Sequence, residues 1–315
     1  MNVNHKLDEQ IIFEKEFSLT SKNITLTKKN REKYLEKTID LSKYKNLKNI
    51  QLKEYSSYGN KDIKFINYPK SVEYIYSYSC YLDLRNLPQN VNKIDVYSPK
   101  YINNDFLNLP SGLIYLKCSS QEITQLDNLP PKLIELSCHC NKITQLDNLP
   151  LSLVSLNCSY NKLTTLDNLP ESINILICSH NLLVKLDNLP NGLKYLDCSH
   201  NNIILLNCLP GSLTKIFAKS NNIESIERLP ETLAIANFTF NPLIKKPKCK
   251  NTFILLNYSL DSEKASTIQR VIQSGYKCTY GIYYFSKYFA YGIGFSSFLI
   301  LSPIIVPILY IYDDI

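Results

Sequence analysis

Leu129-Pro130-Pro131-Lys132-Leu133-Ile134-Glu135-Leu136-Ser137-Cys138-His139-Cys140-Asn141-Lys142-Ile143-Thr144-Gln145-Leu146-Asp147-Asn148 is one turn of a repeat, and Leu149-Pro150 begins the next. Prolines at 110, 130, 150, 170, 190, 210 and 230 keep the same phase, a period of 20 residues without a slip. A unit this short cannot bury its own apolar face and must stack on its neighbours. The spacing predicts a solenoid whose function is carried on a repeated surface.

With each Pro counted as zero, apolar residues fall at +3, +6, +8, +13, +16 and +19, as in Leu133, Leu136, Cys138, Ile143, Leu146 and Leu149. The alternation around +6 and +8 has the period of a strand, so each unit supplies one strand to a parallel sheet. Asn141, Asn161, Asn181, Asn201, Asn221 and Asn241 follow at +11. An amide both donates and accepts, so stacked Asn side chains can satisfy turn groups that no strand ladder reaches. The rest of the unit is too short for a helix with two connections. Its Asp-Asn-Leu-Pro segment also opposes one, because the residue before Pro avoids the α region. The convex side is expected to be extended or turn-like with little helix. Asp127, Asp147, Asp167 and Asp187 at +17 are expected to accept hydrogen bonds from turn amides.

The pattern decays towards the N-terminus. Asn86-Leu87-Pro88 and Asn67-Tyr68-Pro69 open units of 22 and 19 residues, and Leu47, Ile50 and Leu52 mark a weaker one. Irregular end units are expected, since a terminal unit must hide one face from water. The chain is divided accordingly into an N-terminal cap (1–43), repeats (44–250, regular over 110–241), a C-terminal cap (251–287) and a segment 288–312. Within the C-terminal cap, 262–274 reads as a short helix, with Ile268, Val271 and Ile272 on one face and Gly275 at its end.

Written as L-x-x-L-x-C-x-x-N-x-I/L, the unit resembles the leucine-rich repeat with Cys in the third Leu slot. Leu126-Asp127-Asn128-Leu129-Pro130, Cys158-Ser159-Tyr160-Asn161 and Cys198-Ser199-His200-Asn201 carry a closer likeness, over roughly 69–245. They are similar to the 20-residue repeats of giant DNA viruses of amoebae and, more distantly, to the LP-type repeats of secreted bacterial effectors. Richness in Asn, Ile, Lys and Tyr, with no Trp and one Met, fits the viral group. The resemblance implies a solenoid that binds proteins, with a host protein as partner in the viral case. Some of the bacterial proteins are ubiquitin ligases with a large catalytic domain after the repeats. Here about 70 largely apolar residues follow, so ligase activity is not carried over.

The net charge of +7 is spread mainly over the flanks, and Lys245-Lys246-Pro247-Lys248-Cys249-Lys250 closes the repeats. Five of the ten Cys (118, 138, 158, 178 and 198) share one inward slot. They should form a column of thiols at the strand spacing of about 4.8 Å, as small buried hydrophobes. Residues 1–20 lack the apolar run of a signal peptide. The expectation is reduced thiols and a cytosolic repeat domain. Residues 288–312 hold no charge over 25 positions, with tyrosines crowding both ends. That is the length and belt of a membrane span, and Lys277 and Lys287 before it, with Asp313 and Asp314 after it, place the repeats on the cytosolic side. Pro303 and Pro307 leave open the alternative of an apolar cap on a soluble cytosolic protein.

No phosphate loop, dinucleotide fingerprint or nucleophile elbow is present, so no enzyme activity and no cofactor are expected. His180 and His200 share the +10 slot with Cys140, but Tyr160 interrupts that column, so no metal site is expected. Strand positions pointing away from the core are the candidate binding surface. They include Tyr115, Ile175 and Tyr195 at +5, Ile177, Asp197 and Phe217 at +7, and Tyr160, His180 and His200 at +10. Ile175, Ile177, Tyr195 and Phe217 should converge in one patch of the kind that protein interfaces place at their centre. A nucleic-acid ligand would want a basic stripe, and only Lys117, Lys215 and Lys219 are available, so none is expected. The reading is a non-catalytic protein-binding scaffold. An adaptor for a ubiquitin ligase or other enzyme complex, and a structural repeat protein with no defined ligand, are the alternatives.

Overall fold

A computed structural model of the chain describes residues 13–14, 16–27, 38–53, 64–78, 86–97, 108–226, 228–243, 247 and 253–255. The expected helix 262–274 and the segment 288–312 lie outside the described residues. Among the described residues fourteen strands follow one another: β1 Asn23–Thr27, β2 Thr38–Asp40, β3 Asn49–Lys53, β4 Lys64–Ile66, β5 Tyr74–Tyr78, β6 Lys93–Tyr97 and β7 Tyr115–Ser119 in the irregular half. The regular half adds β8 Glu135–Ser137, β9 Ser155–Asn157, β10 Ile175–Ile177, β11 Tyr195–Asp197, β12 Lys215–Phe217, β13 Ile235–Asn237 and β14 Phe253–Leu255. Twelve of them form one sheet in the order β1-β3-β5-β6-β7 and on to β14, while β2 and β4 pair separately. Neighbouring strands of the sheet are parallel, with in-phase partners such as Leu136↔Leu156 and Leu156↔Leu176. This is a stacking of turns in which one strand per unit enters the sheet and helix is almost absent among the described residues.

The core is set by the same columns. Leu133, Leu136, Cys138 and Ile143 are fully buried, as are their equivalents at Leu153, Leu156, Cys158 and Leu163. Val72, Ile75, Val91 and Ile94 continue the core backward, and Leu47, Ile50 and Leu52 extend it again. The sheet reaches still further, to Ile24 and Leu26 of β1. There Phe13 packs edge-on against Tyr44 (centroids 5.9 Å) and Phe65 (6.3 Å), an aromatic plug over the first turns. The phenol of fully buried Tyr44 donates to the Phe17 carbonyl at 3.2 Å.

Two features turn the chain with few glycines. Asn128, Asn148, Asn168 and Asn188, of the Asp-Asn-Leu-Pro segments, adopt φ of 54–60°, a left-handed conformation that Asn tolerates better than most residues. The turn is made by that backbone and by the next turn's Leu133 N–H donating to Pro130 O at 3.1 Å. The preceding Asp residues are exposed and receive no hydrogen bond from a turn amide among the described residues, contrary to expectation; Asp187 pairs with Lys185 instead. The second left-handed position is +10, where Ser120, Cys140, Tyr160, His180, His200, Ser220 and Phe240 all have φ of 53–58°. In the six units from Cys140 onward the Asn at +11 holds this bend; after Ser120 its place is taken by buried Gln121. Asn181 Oδ1 accepts from Leu163 N at 3.0 Å, and its Nδ2 donates to Cys158 O (3.0 Å) and Cys178 O (3.1 Å). Asn161 and Asn201 repeat the arrangement one unit either side.

Candidate functional site

The concave face presents the outward residues of each strand, and the pairing register places them in rows. Ile175, Tyr195 and Lys215 are neighbours in one row, and Ile177, Asp197 and Phe217 in the next. Three adjacent strands span about 10 Å, so Ile175, Ile177, Tyr195 and Phe217 fall within one patch. Tyr195 and Phe217 touch, ring centroids 5.7 Å apart. Ile175 is 40% exposed, a large apolar side chain left in water. Asp197 has a local task, since its Oδ1 accepts from Ser199 N at 3.0 Å, as Asn157 and Asn237 do for the equivalent amides.

Tyr160, His180 and His200 line up beside this patch on the rim. Their rings stack at 4.0 and 4.1 Å with interplanar angles of 10° and 12°. Burial disfavours the charged form of both histidines; for His200 the neighbouring His180 adds to this, while Asp197 opposes it for both. Parallel rings direct their nitrogen lone pairs side by side rather than to one point. No group of three His, Cys, Asp or Glu among the described residues is placed to hold a metal ion. Cys140 lies one unit further along, exposed.

Tyr115 stands apart from that patch, three strands away, and belongs to a cluster that the repeat phase did not mark. β5 supplies Tyr74, Tyr76 and Tyr78, β6 supplies Lys93, Asp95 and Tyr97, and β7 supplies Tyr115 and Lys117, in register. The Lys93 ammonium lies between two rings, 5.1 Å from the Tyr74 centroid and 4.5 Å from that of Tyr115. Tyr78 stacks on Tyr97 at 4.7 Å, almost parallel. Burial, with help from Asp95, pushes the Tyr74 phenol up to about 12, and it raises Tyr115 as well. Asp95 is raised because burial outweighs Lys117 and Lys93. Alternation in β5 and β6 would have found these residues had the columns been carried back through the irregular units.

His139 follows β8, between the two clusters in strand order. Its Nδ1 is 2.8 Å from Ser119 Oγ and 3.1 Å from Ser137 Oγ, and burial lowers its pKa to about 4. The five thiols of the inward column are free and buried, and burial raises them all, Cys138 to about 12. Thiols held protonated and out of water are packing groups rather than nucleophiles. On the convex side Leu182, Val184, Ile204 and Leu205, each 47–51% exposed, form a further apolar patch.

No protein-family model matches the chain, and no curated protein sequence matches it. Solved structures do. YopM, a leucine-rich effector protein from Yersinia pestis, superposes with a TM-score of 0.59 at 24% identity, over 71% of this chain and 69% of that one. YopM from Yersinia enterocolitica WA-314 gives 0.54 at 24% identity, over 69% of this chain; the match spans 58% of the Yersinia chain's length. Parallel strands, a buried Asn column and these superpositions agree: the chain folds as a leucine-rich repeat solenoid.

Proposed function

We propose that the chain is a non-catalytic scaffold that binds a protein partner on its concave face, centred on Ile175, Ile177, Tyr195 and Phe217. The rim carries this reading. Tyr160, His180 and His200 occupy left-handed backbone where Asn or Gly would cost less by about 1 kcal/mol each, and their stacked rings border an apolar patch left in water. Aromatic residues at the centre with Ser and Asn around them match the make-up of protein interfaces. Likeness to the repeats of amoebal giant viruses would make the partner a host protein. The uncharged run 288–312 would tether the scaffold to a membrane with the repeats on the cytosolic side. Among the described residues no helix is long and apolar enough to cross a membrane.

The test is capture of a partner from native cells by the full chain, compared with Tyr195→Ala combined with Ile177→Ser. Capture should be lost while the melting temperature stays within a few degrees. Capture that persists in this variant, and disappears on changing Lys245 and Lys246, would move the site to the basic edge.

A further inference from the structure

We infer that the ring stack of Tyr160, His180 and His200 is an acid-operated latch on the rim of the binding face: the histidine pair takes one proton within the stack, and the second parts the rings and releases the partner. The inference rests on the concave-face reading above and adds to it a condition under which binding ends.

The pair is a product of the repeat. His180 and His200 hold the same slot in consecutive units, on backbone with φ of 54° at both positions. The bend is tied down by Asn181 and Asn201, whose Nδ2 groups donate to Cys178 O and Cys198 O at 3.1 Å each. The two backbones are thereby fixed about one strand spacing, 4.8 Å, apart. The imidazoles meet face to face at 4.1 Å between centroids and 12° from parallel, so they lean together more than the pitch imposes. Tyr160 closes one end of the stack at 4.0 Å. At the other end the slot holds Ser220, which has no ring to cover the outer face of His200.

Few charges act on this pair. Among the described residues Asp197 draws a proton to both rings and Lys219 opposes it. Asp197 already accepts from Ser199 N at 3.0 Å, and the Lys219 ammonium lies over the Phe240 ring, 5.4 Å from its centroid. One attracting and one repelling charge leave the outcome to the rings themselves. A first imidazolium at His180 lies between the faces of Tyr160 and neutral His200, which favour a cation. A second at His200 stands about 4 Å from the first, on a rim open to water. Repulsion at that distance separates the two midpoints by about 1–3 on the pH scale. Burial lowers both histidines and His180 lowers His200 further, the same order of protonation. Only His200 has an open side, so its ring is the one that swings away, towards Ser220.

A partner that covers the rim must strip water from whatever charge the pair carries. Both rings are neutral above the ordinary histidine range, and binding is complete there. As pH falls through the midpoints of the free pair, affinity should drop tenfold per pH unit for each proton that binding excludes.

The experiment follows the histidine C2 protons of the full chain by NMR from about pH 8 to about 4.5. Signals are assigned with His180→Ser and His200→Ser, serine being the residue of this slot at 120 and 220. His180 should move first and His200 in a separate later step, and the contact between their ring protons should vanish with that step. Circular dichroism should hold its neutral value meanwhile, which distinguishes the latch from unfolding. Asp197→Asn keeps the bond to Ser199 N, as Asn157 and Asn237 do in their units, and should lower both midpoints. One shared midpoint that Asp197→Asn leaves in place, or ring contacts that outlast the second step, would overturn the latch. Partner held by the immobilised chain at about pH 7.5 should be released along the second step. Partner retained below that step overturns the latch and leaves the concave-face reading standing. If no protein is captured at neutral pH, the concave-face reading fails and the release with it, whatever the titration shows.

Discussion

Asn181→Ala tests the ladder that bends every unit. Asn181 is 6% exposed and makes four bonds to main chain. Its loss does not strand all four groups equally. Cys158 O also accepts from Asn161, Cys178 O from Asn201 and Ser179 O from Tyr160 N, so each carbonyl keeps one donor. Only the Leu163 N–H loses the side-chain acceptor that holds it. One buried unpaired amide costs about 1–3 kcal/mol, and the weakened carbonyls add a fraction of that. The single variant should therefore lose about 2–4 kcal/mol, a large share of a typical stability of about 5–15 kcal/mol. The double variant Asn161→Ala/Asn181→Ala removes both donors from Cys158 O, so it should cost about 1 kcal/mol more than the sum of its singles. Asn141 and Asn201 share no acceptor and sit about 14 Å apart by strand spacing, so that pair should add within about 0.5 kcal/mol. Urea unfolding followed by circular dichroism and by tyrosine fluorescence reads these differences, with coincidence of the two signals as the check on cooperativity. An adjacent pair that is as additive as the distant pair would refute the shared-carbonyl argument.

Leu156→Asp should abolish cooperative unfolding, since a carboxylate in that fully buried slot has no partner; a wild-type melting curve would contradict the register. Among the described cysteines, Cys140 and Cys208 should react with a thiol reagent in the native protein and the five inward ones only in denaturant, as mass spectrometry of the labelled chain would show. Acid should weaken the fold through His139. Its folded pKa of about 4 lies below the ordinary 6.5, so its contribution is complete above 6.5 and is lost as pH falls through that window to about 4. His139→Ser, the residue of the neighbouring units, should flatten that limb of the stability curve, although His180 and His200, lowered by burial, add the same sign. Full-length chain should stay with membranes after carbonate washing and a chain ending at Lys287 should not; soluble full-length protein would make the apolar run a cap.

The regular units were legible because proline, leucine and asparagine recur at fixed offsets, and each offset has one structural role. The same reasoning reached β5 and β6 through Pro69 and Pro88, and β3 through Leu47, Ile50 and Leu52. β1 carries no such landmark; Ile24 and Leu26 read as two apolar residues among many. The pairing of β2 with β4 was equally hidden, because Thr38–Asp40 and Lys64–Ile66 are three residues each and adjoin only through the fold. Left-handed backbone at +10 could not be read from Tyr160, His180 or Phe240, residue types that seldom adopt it. It follows from the Asn one step later, whose bonds hold the bend whatever precedes it. The patch at Ile175, Ile177, Tyr195 and Phe217 came from alternation alone. The tyrosine cluster shares that alternation but lies in units whose lengths drift, so its columns align only through the pairing register.

The unbroken period gives the molecule a pitch. Each 20-residue unit between Pro110 and Pro230 enters and leaves the sheet in the same phase, and Asn bonds join only adjacent units. Excising one such block, for instance 130–149, would leave Leu129 followed by Pro150, a junction with the same local sequence as the one removed. The shortened chain should fold, with its two concave clusters one strand nearer, by about 4.8 Å. Separation between recognition elements is thus counted in whole turns, and gain or loss of a repeat retunes it in fixed steps without altering a single contact side chain.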